Sequence, residues 1–182
     1  MNAGKSTMLL QSNHNYLERG MKPQIYTSDL DNRYGSGEIV SRIGLKAKSN
    51  TFNTKTDIYE DILNKNNNDS VDCVLVDEAQ FLTESQVEQL GKIVDELNIP
   101  VLAFGIRTDF QGKLFEGSKF LLAWADNLKE IKTVCHCGRK ATMVLRVDDE
   151  GNIMADGSQI EIGGEERYVS VCRKHFKEKK IA

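Results

Sequence analysis

Apolar positions in the first half of the chain fall into two alternating rhythms. Residues 4–19 repeat at helical spacing and stop at Gly20, which predicts a helix with a glycine terminator. Residues 23–28 (Pro-Gln-Ile-Tyr-Thr-Ser) read as a short strand, and 29–37 as a polar loop. Ile58, Tyr59, Ile62 and Leu63 mark a second helix over residues 57–65, ended by the polar break at 66–70. Residues 71–76 are a short apolar run, interrupted by Asp72, and predict a buried strand. Thr83-Glu84-Ser85-Gln86 is a capping-box pattern, and Val87, Leu90, Ile93, Val94 and Leu97 place one apolar face on the helix that follows. Residues 101–104 form another buried strand, closed by Gly105. Strand and helix in alternation predict an α/β fold, a parallel sheet with helices on its faces.

After about residue 132 the rhythm changes. Residues 141–147 and 159–162 read as hairpin arms flanking a turn-rich segment at 148–152, and cysteines and glycines gather there. The expected organisation is an α/β domain over residues 1–131 and a small β-rich domain over 132–182.

Composition narrows the function classes. Forty per cent apolar and 28% charged residues suit a soluble globular chain with a real core. The net charge of −3 lacks the Lys/Arg excess that phosphate-backbone binding requires, which speaks against a nucleic-acid partner. No apolar run is long enough to span a bilayer. No secretory signal is evident and there are four cysteines, which points to a reducing, cytoplasmic setting and to metal ligation before disulfides.

Three constellations carry chemistry. Met1-Asn2-Ala3-Gly4-Lys5-Ser6-Thr7 matches the second half of a phosphate-binding loop, G-x-x-x-x-G-K-[ST]. Glycine admits the phosphates to the backbone, N–H groups at a helix start hold the anion, lysine reaches the β/γ-phosphates and Ser6 can ligate Mg²⁺. The motif's first glycine and its leading strand would precede Met1, so we expect the chain to be a truncated or mis-started version of a longer protein. A lost strand would expose its neighbour's edge. Val74-Leu75-Val76-Asp77-Glu78 is an apolar strand ending in paired carboxylates. Asp77 suits Mg²⁺, and Glu78 suits a base beside the γ-phosphate. Cys135-His136-Cys137 and Cys172-Arg173-Lys174-His175 form two close pairs with a gap, the spacing logic of a structural zinc site. Cys135, Cys137, Cys172 and His175 are the expected ligands, with His136 an alternative. Cys73 reads as a core residue.

Taken together these residues resemble the cytosolic-type thymidine kinases. The resemblance is carried by residues 1–7, Asp31-Asn32-Arg33-Tyr34, Val76-Asp77-Glu78-Ala79-Gln80-Phe81, Gly105-Ile106-Arg107-Thr108-Asp109-Phe110, Phe115-Glu116-Gly117-Ser118, the Cys135/Cys137 pair, Ile162-Gly163-Gly164, Arg167-Tyr168 and Ser170-Val171-Cys172. It spans essentially the whole chain apart from the leading strand. It implies a RecA-like P-loop domain with a zinc-bearing domain, and transfer of the γ-phosphate of ATP to the 5′-hydroxyl of thymidine. It implies that Glu78 is the catalytic base and Arg33, with Lys5, a phosphate clamp. Nucleotide and Mg²⁺ contacts would come from Asn2, Ala3, Gly4, Lys5, Ser6, Thr7, Asp31, Asp77 and Gln80. Thymidine would be held by Met1, by Phe110 and Phe115 as apolar walls, and by Gly163, Gly164 and Tyr168 of a lasso loop within residues 147–168. Plain core packing is the alternative for both phenylalanines. The resemblance further implies a homotetramer. The rival from the motifs alone is a zinc-containing P-loop ATPase stimulated by nucleic acid, because Asp77-Glu78-Ala79-Gln80 also fits a helicase box.

Overall fold

The computed structural model describes residues 3–30, 37–41, 43–159 and 167–182. Its centre is a parallel sheet of β1 (Pro23–Ser28), β4 (Asn50–Phe52), β5 (Cys73–Val76) and β6 (Val101–Ala103), in the order β4-β1-β5-β6. Register is fixed by pairs such as Tyr26 with Val76 and Val76 with Ala103. Alternate residues of the central strands serve opposite faces. Ile25, Cys73 and Leu75 meet Leu9 and Leu10 of α1 (Lys5–Glu18). Tyr26, Val74 and Val76 meet α2 (Ile58–Asn68) and α3 (Glu84–Leu97) through Ile58, Ile62, Val87, Leu90 and Ile93. Both faces are covered, so the central run must be apolar throughout, and all of β5 is buried. β6 is half-exposed, and among the described residues no strand pairs with its outer edge.

The capping box at Thr83 forms as expected, with Gln86 donating further to the carbonyls of Asn53 and Thr56. That buried amide ties the start of α3 to the turn before α2. Helix α4 (Glu116–Trp124) and a hairpin of β2 (Glu38–Val40) and β3 (Lys46–Lys48) were not evident in the pattern. Both are short and lack a sustained apolar face.

Beyond residue 132 the pairing turns antiparallel. β7 (Thr133–Val134) and β8 (Lys140–Ala141) make a tight hairpin. β9 (Met143–Val147) lies between β10 (Ile153–Met154) and β11 (Tyr168–Val171), and α5 (Arg173–Glu178) follows. This region has its own apolar cluster of Cys135, Ala141, Leu145, Val171 and Cys172. Of the hairpin arm expected at 159–162, only Gln159 is described. Gln159 lies outside any strand and residues 160–162 lie outside the described ones. The Gln159 amide donates to Asp109 Oδ2 at 2.9 Å and to the Leu114 carbonyl, so this residue cross-links to another loop.

Candidate active site

Helix α1 begins at a glycine because the chain there is left-handed: Gly4 has φ +79°, a conformation that a side chain disfavours. No side chain caps this N-terminus. The N–H groups of the first turn therefore face outward with the positive end of the helix dipole, a ready anion cradle. Ala3, Lys5, Ser6 and Thr7 line this start and are half-buried.

The end of β5 meets it. Ser6 Oγ donates to Asp77 Oδ2 at 3.0 Å. The Asp77 N–H is held by the Tyr26 carbonyl at 2.8 Å, which continues the strand ladder one residue past β5. Asp77 is only 4% exposed. Burial and the neighbouring Glu78 charge push its carboxyl up to about 6, against the opposing pull of Lys5, the Glu78 N–H and Ser6. A buried carboxylate under that stress, with a hydroxyl beside it at a helix N-terminus, is a donor set that suits Mg²⁺ accompanying a polyphosphate.

At Glu78 the chain turns sharply, with φ +50°, left-handed backbone that a non-glycine residue adopts only under support. The support is visible. The Ala79 N–H bonds the Phe104 carbonyl at 2.9 Å, and residues 79–81 close a 3₁₀ turn. Gly117, at the start of α4, lies flush on this turn, where a Cβ would fall 2.5 Å from the Ala79 carbonyl oxygen. Gln80, expected at the nucleotide, is 2% exposed, with its amide turned onto Glu78 and the Ile106 N–H.

Phe110 and Phe115 are both nearly buried. Phe115 meets Phe81 edge-to-face with centroids 5.9 Å apart. Phe110 lies under the guanidinium of Arg146, 4.0 Å from its ring centre. Arg146 is itself 2% exposed and donates to the carbonyls of Asp156 and Ser158, both at 3.1 Å. Gln111 Nε2 adds a bond to the Ala155 carbonyl at 3.2 Å. The 155–159 segment is thus fastened to the 109–114 loop from three side chains: Arg146, Gln111 and Gln159. Tyr168 opens β11 opposite Arg146. Met1, Asn2, Asp31, Arg33, Gly163 and Gly164 lie outside the described residues.

The second cluster is separate in kind. The ligand atoms of Cys135, Cys137, Cys172 and His175 all lie within 4.8 Å of one another. Gly138, at φ +79°, turns the chain between β7 and β8 so that its N–H reaches the Cys135 carbonyl. Cys172 sits at the start of α5, which brings His175 round to 3.3 Å from the Cys135 sulfur. Burial opposes a Cys135 thiolate, yet the Cys137 N–H, His175, the Cys172 N–H and the Cys137 thiol draw its pKa down to about 5. Soft thiolate and imidazole donors at this closeness fit a tetrahedral Zn²⁺ with no position left open.

Sequence reading assigned no role to Arg146, and quoted Gly117 without its contact on the 79–82 turn. One signal was available: an arginine inside the apolar run Met143-Val144-Leu145-Arg146-Val147 has to find partners when buried.

Comparison with known proteins agrees with this geometry. The profile of the family described as "Thymidine kinase" matches residues 1–176. A thymidine kinase of Aliivibrio fischeri is 59% identical over 178 residues, covering 98% of this chain and 93% of the relative. One from Rhodopirellula baltica is 60% identical, covering 98% and 84%. One from Vibrio vulnificus is 59% identical, covering 98% and 93%.

Proposed function

This chain belongs to the thymidine kinase family, and on that premise we propose that it transfers the γ-phosphate of ATP to the 5′-hydroxyl of thymidine with Glu78 as the general base. The observation that carries the assignment is the meeting of Ser6 with Asp77, one residue before Glu78. A phosphate cradle, a metal-suited carboxylate and a base then occupy one corner of the sheet. The nucleic-acid-stimulated ATPase is not favoured by the family match.

Phosphoryl transfer is mainly alignment and charge neutralisation. The first turn of α1, with Ala3, Gly4, Lys5, Ser6 and Thr7, receives the ATP phosphates, joined by Asn2. Ser6, Asp77 and Asp31 would hold Mg²⁺, which would supply positive charge beside the phosphates. Lys5 and Arg33 clamp the transferring group. Glu78 takes the proton as the 5′-oxygen attacks. Met1, Phe110, Phe115, Gly163, Gly164 and Tyr168 enclose the nucleoside, with glycine backbone close to the base. The α/β body spans residues 1–131 and the zinc and lasso part 132–182, where Zn²⁺ is structural. We further place the enzyme in the cytoplasm as a homotetramer. No helix among the described residues is long and apolar enough to cross a membrane.

The test is thymidine-dependent ADP formation from Mg·ATP, compared with the Glu78→Gln variant. Turnover is expected to fall about 10²–10⁴-fold in the variant with ATP binding retained. Near-native turnover in Glu78→Gln would refute the base assignment. A folded, zinc-loaded enzyme that is silent with thymidine would refute the substrate.

A further inference from the structure

We propose that Gln80 is a positioning residue that holds the Glu78 carboxylate in its working orientation through a two-ended amide bridge; this rests on the reading of Glu78 as the base.

The orientation of the Gln80 amide is determined by its partners. The Ile106 N–H can only donate, so the atom it meets at 3.2 Å is the carbonyl Oε1 of Gln80. The NH₂ group then faces Glu78 and donates to its Oε2 at 2.5 Å. Each neighbour of this bridge is itself fixed. The Ile106 carbonyl accepts from Ser118 Oγ at 2.6 Å, so α4 braces the peptide from behind. Gly105 leaves no slack, because a Cβ there would lie 3.0 Å from Gln80 Oε1 and 3.1 Å from Gln80 N. Gly117 presses on the carbonyl of Gln80 at 3.0 Å from its own would-be Cβ. Glutamine is long enough to span from the 105–107 loop to the carboxylate two residues before it. Satisfying the Ile106 N–H alone would not need that second end.

The consequence is pre-organisation. A glutamate has three rotatable side-chain bonds, and on a left-handed backbone residue its direction is not set by regular structure. Fixing one oxygen removes that freedom before substrate arrives, which matters because transfer needs the base within hydrogen-bond reach of the attacking hydroxyl.

The experiment compares Gln80→Glu and Gln80→Met in the native and Glu78→Gln backgrounds, reading kcat, both KM values and melting temperature. Gln80→Glu keeps shape and an acceptor for Ile106 but sets a second carboxyl group against Glu78, and Gln80→Met removes both ends of the bridge, with melting temperature reporting whether each variant folds. In the native background kcat is expected to fall about 10–100-fold with both KM values within about twofold, a loss confined to the chemical step. In the Glu78→Gln background either substitution should change kcat by less than about twofold, since nothing remains to orient. Equal losses in both backgrounds would mean a structural role. A raised KM for ATP with kcat preserved would mean direct nucleotide contact. Either result overturns the proposal. Native turnover in Glu78→Gln alone overturns the base assignment instead, so the two failures are distinct.

Discussion

The hydroxyl of Ser6 and the carboxylate of Asp77 are hydrogen-bonded at 3.0 Å, which joins the first turn of α1 to the end of β5. The bond aims two hard oxygen donors at one point beside the phosphate cradle. It also leaves Asp77 buried and under stress.

That stress gives a pH-dependent prediction. Asp77 titrates near 3.8 in a free chain and near 6 when folded. The folded state therefore binds the proton more tightly, so this group's contribution to stability declines as pH rises through the window between those values. Asp77→Asn should raise stability by about 1–3 kcal/mol at pH 7.5 and by almost nothing at pH 4. Mg·ATP turnover should collapse in the same variant. Calorimetry at the two pH values, set beside the kinetics, checks both halves.

Zinc removal is the second. Cys135, Cys137, Cys172 and His175 bring the β7–β8 turn to the start of α5, so a metal bound there would close the C-terminal region on itself. Cys172→Ser is expected to lose about one equivalent of zinc and several kcal/mol of local stability. Hydrogen exchange should rise across β9 and β11 and stay near native in β1 and β5. Metal analysis together with exchange mass spectrometry reads the outcome.

Arg146 gives the third. Its guanidinium covers Phe110 and donates to the carbonyls of Asp156 and Ser158. Arg146→Met keeps the apolar stem but removes the planar donors, and Arg146→Lys keeps charge without the fork. Both should raise the thymidine KM by roughly tenfold, in line with about 1.5–3 kcal/mol for a charge-assisted bond. The ATP KM should stay unchanged. Faster limited proteolysis within residues 155–159 would accompany the loss.

Gly117→Ala is the fourth. Alanine is the better helix former by about 1 kcal/mol. Here the new methyl would meet backbone oxygens of Ala79 at 2.5 Å and Leu82 at 2.8 Å, which cannot rotate away. Overpacking of this kind typically costs about 1–3 kcal/mol. The clash wins, so the variant should melt lower and, because the turn carries Glu78, turn over more slowly. A higher melting temperature would show that α4 can slide.

Strands β1, β5 and β6 and the three long helices were legible in the sequence for a common reason. Each is a stretch whose side-chain period matches its burial, as in the unbroken Cys73–Val76 run covered on both faces. Lys5, Ser6, Asp77 and Glu78 were readable because their chemistry is tied to short spacings in the chain. What stayed hidden is tertiary. Nothing in the neighbourhood of Gly117 says that it must touch residues 79–82, and nothing around Gln159 says that it bonds Asp109 rather than a strand. Gln80 sits inside a recognisable motif, yet the motif does not reveal that its amide reaches the Glu78 carboxylate and the Ile106 N–H.

The sheet's register also constrains folding. β1 pairs with β5, Pro23 opposite Cys73, and β5 with β6, Val74 opposite Val101. Both close long loops, and such non-local pairings slow a chain more than local helices do. The turn at Glu78 waits on the second pairing, because the Ala79 N–H is held by the carbonyl of Phe104 just past β6. A chain emerging from the ribosome therefore carries its paired acids well before it can shape them. Competence arrives only when β6 zips onto β5.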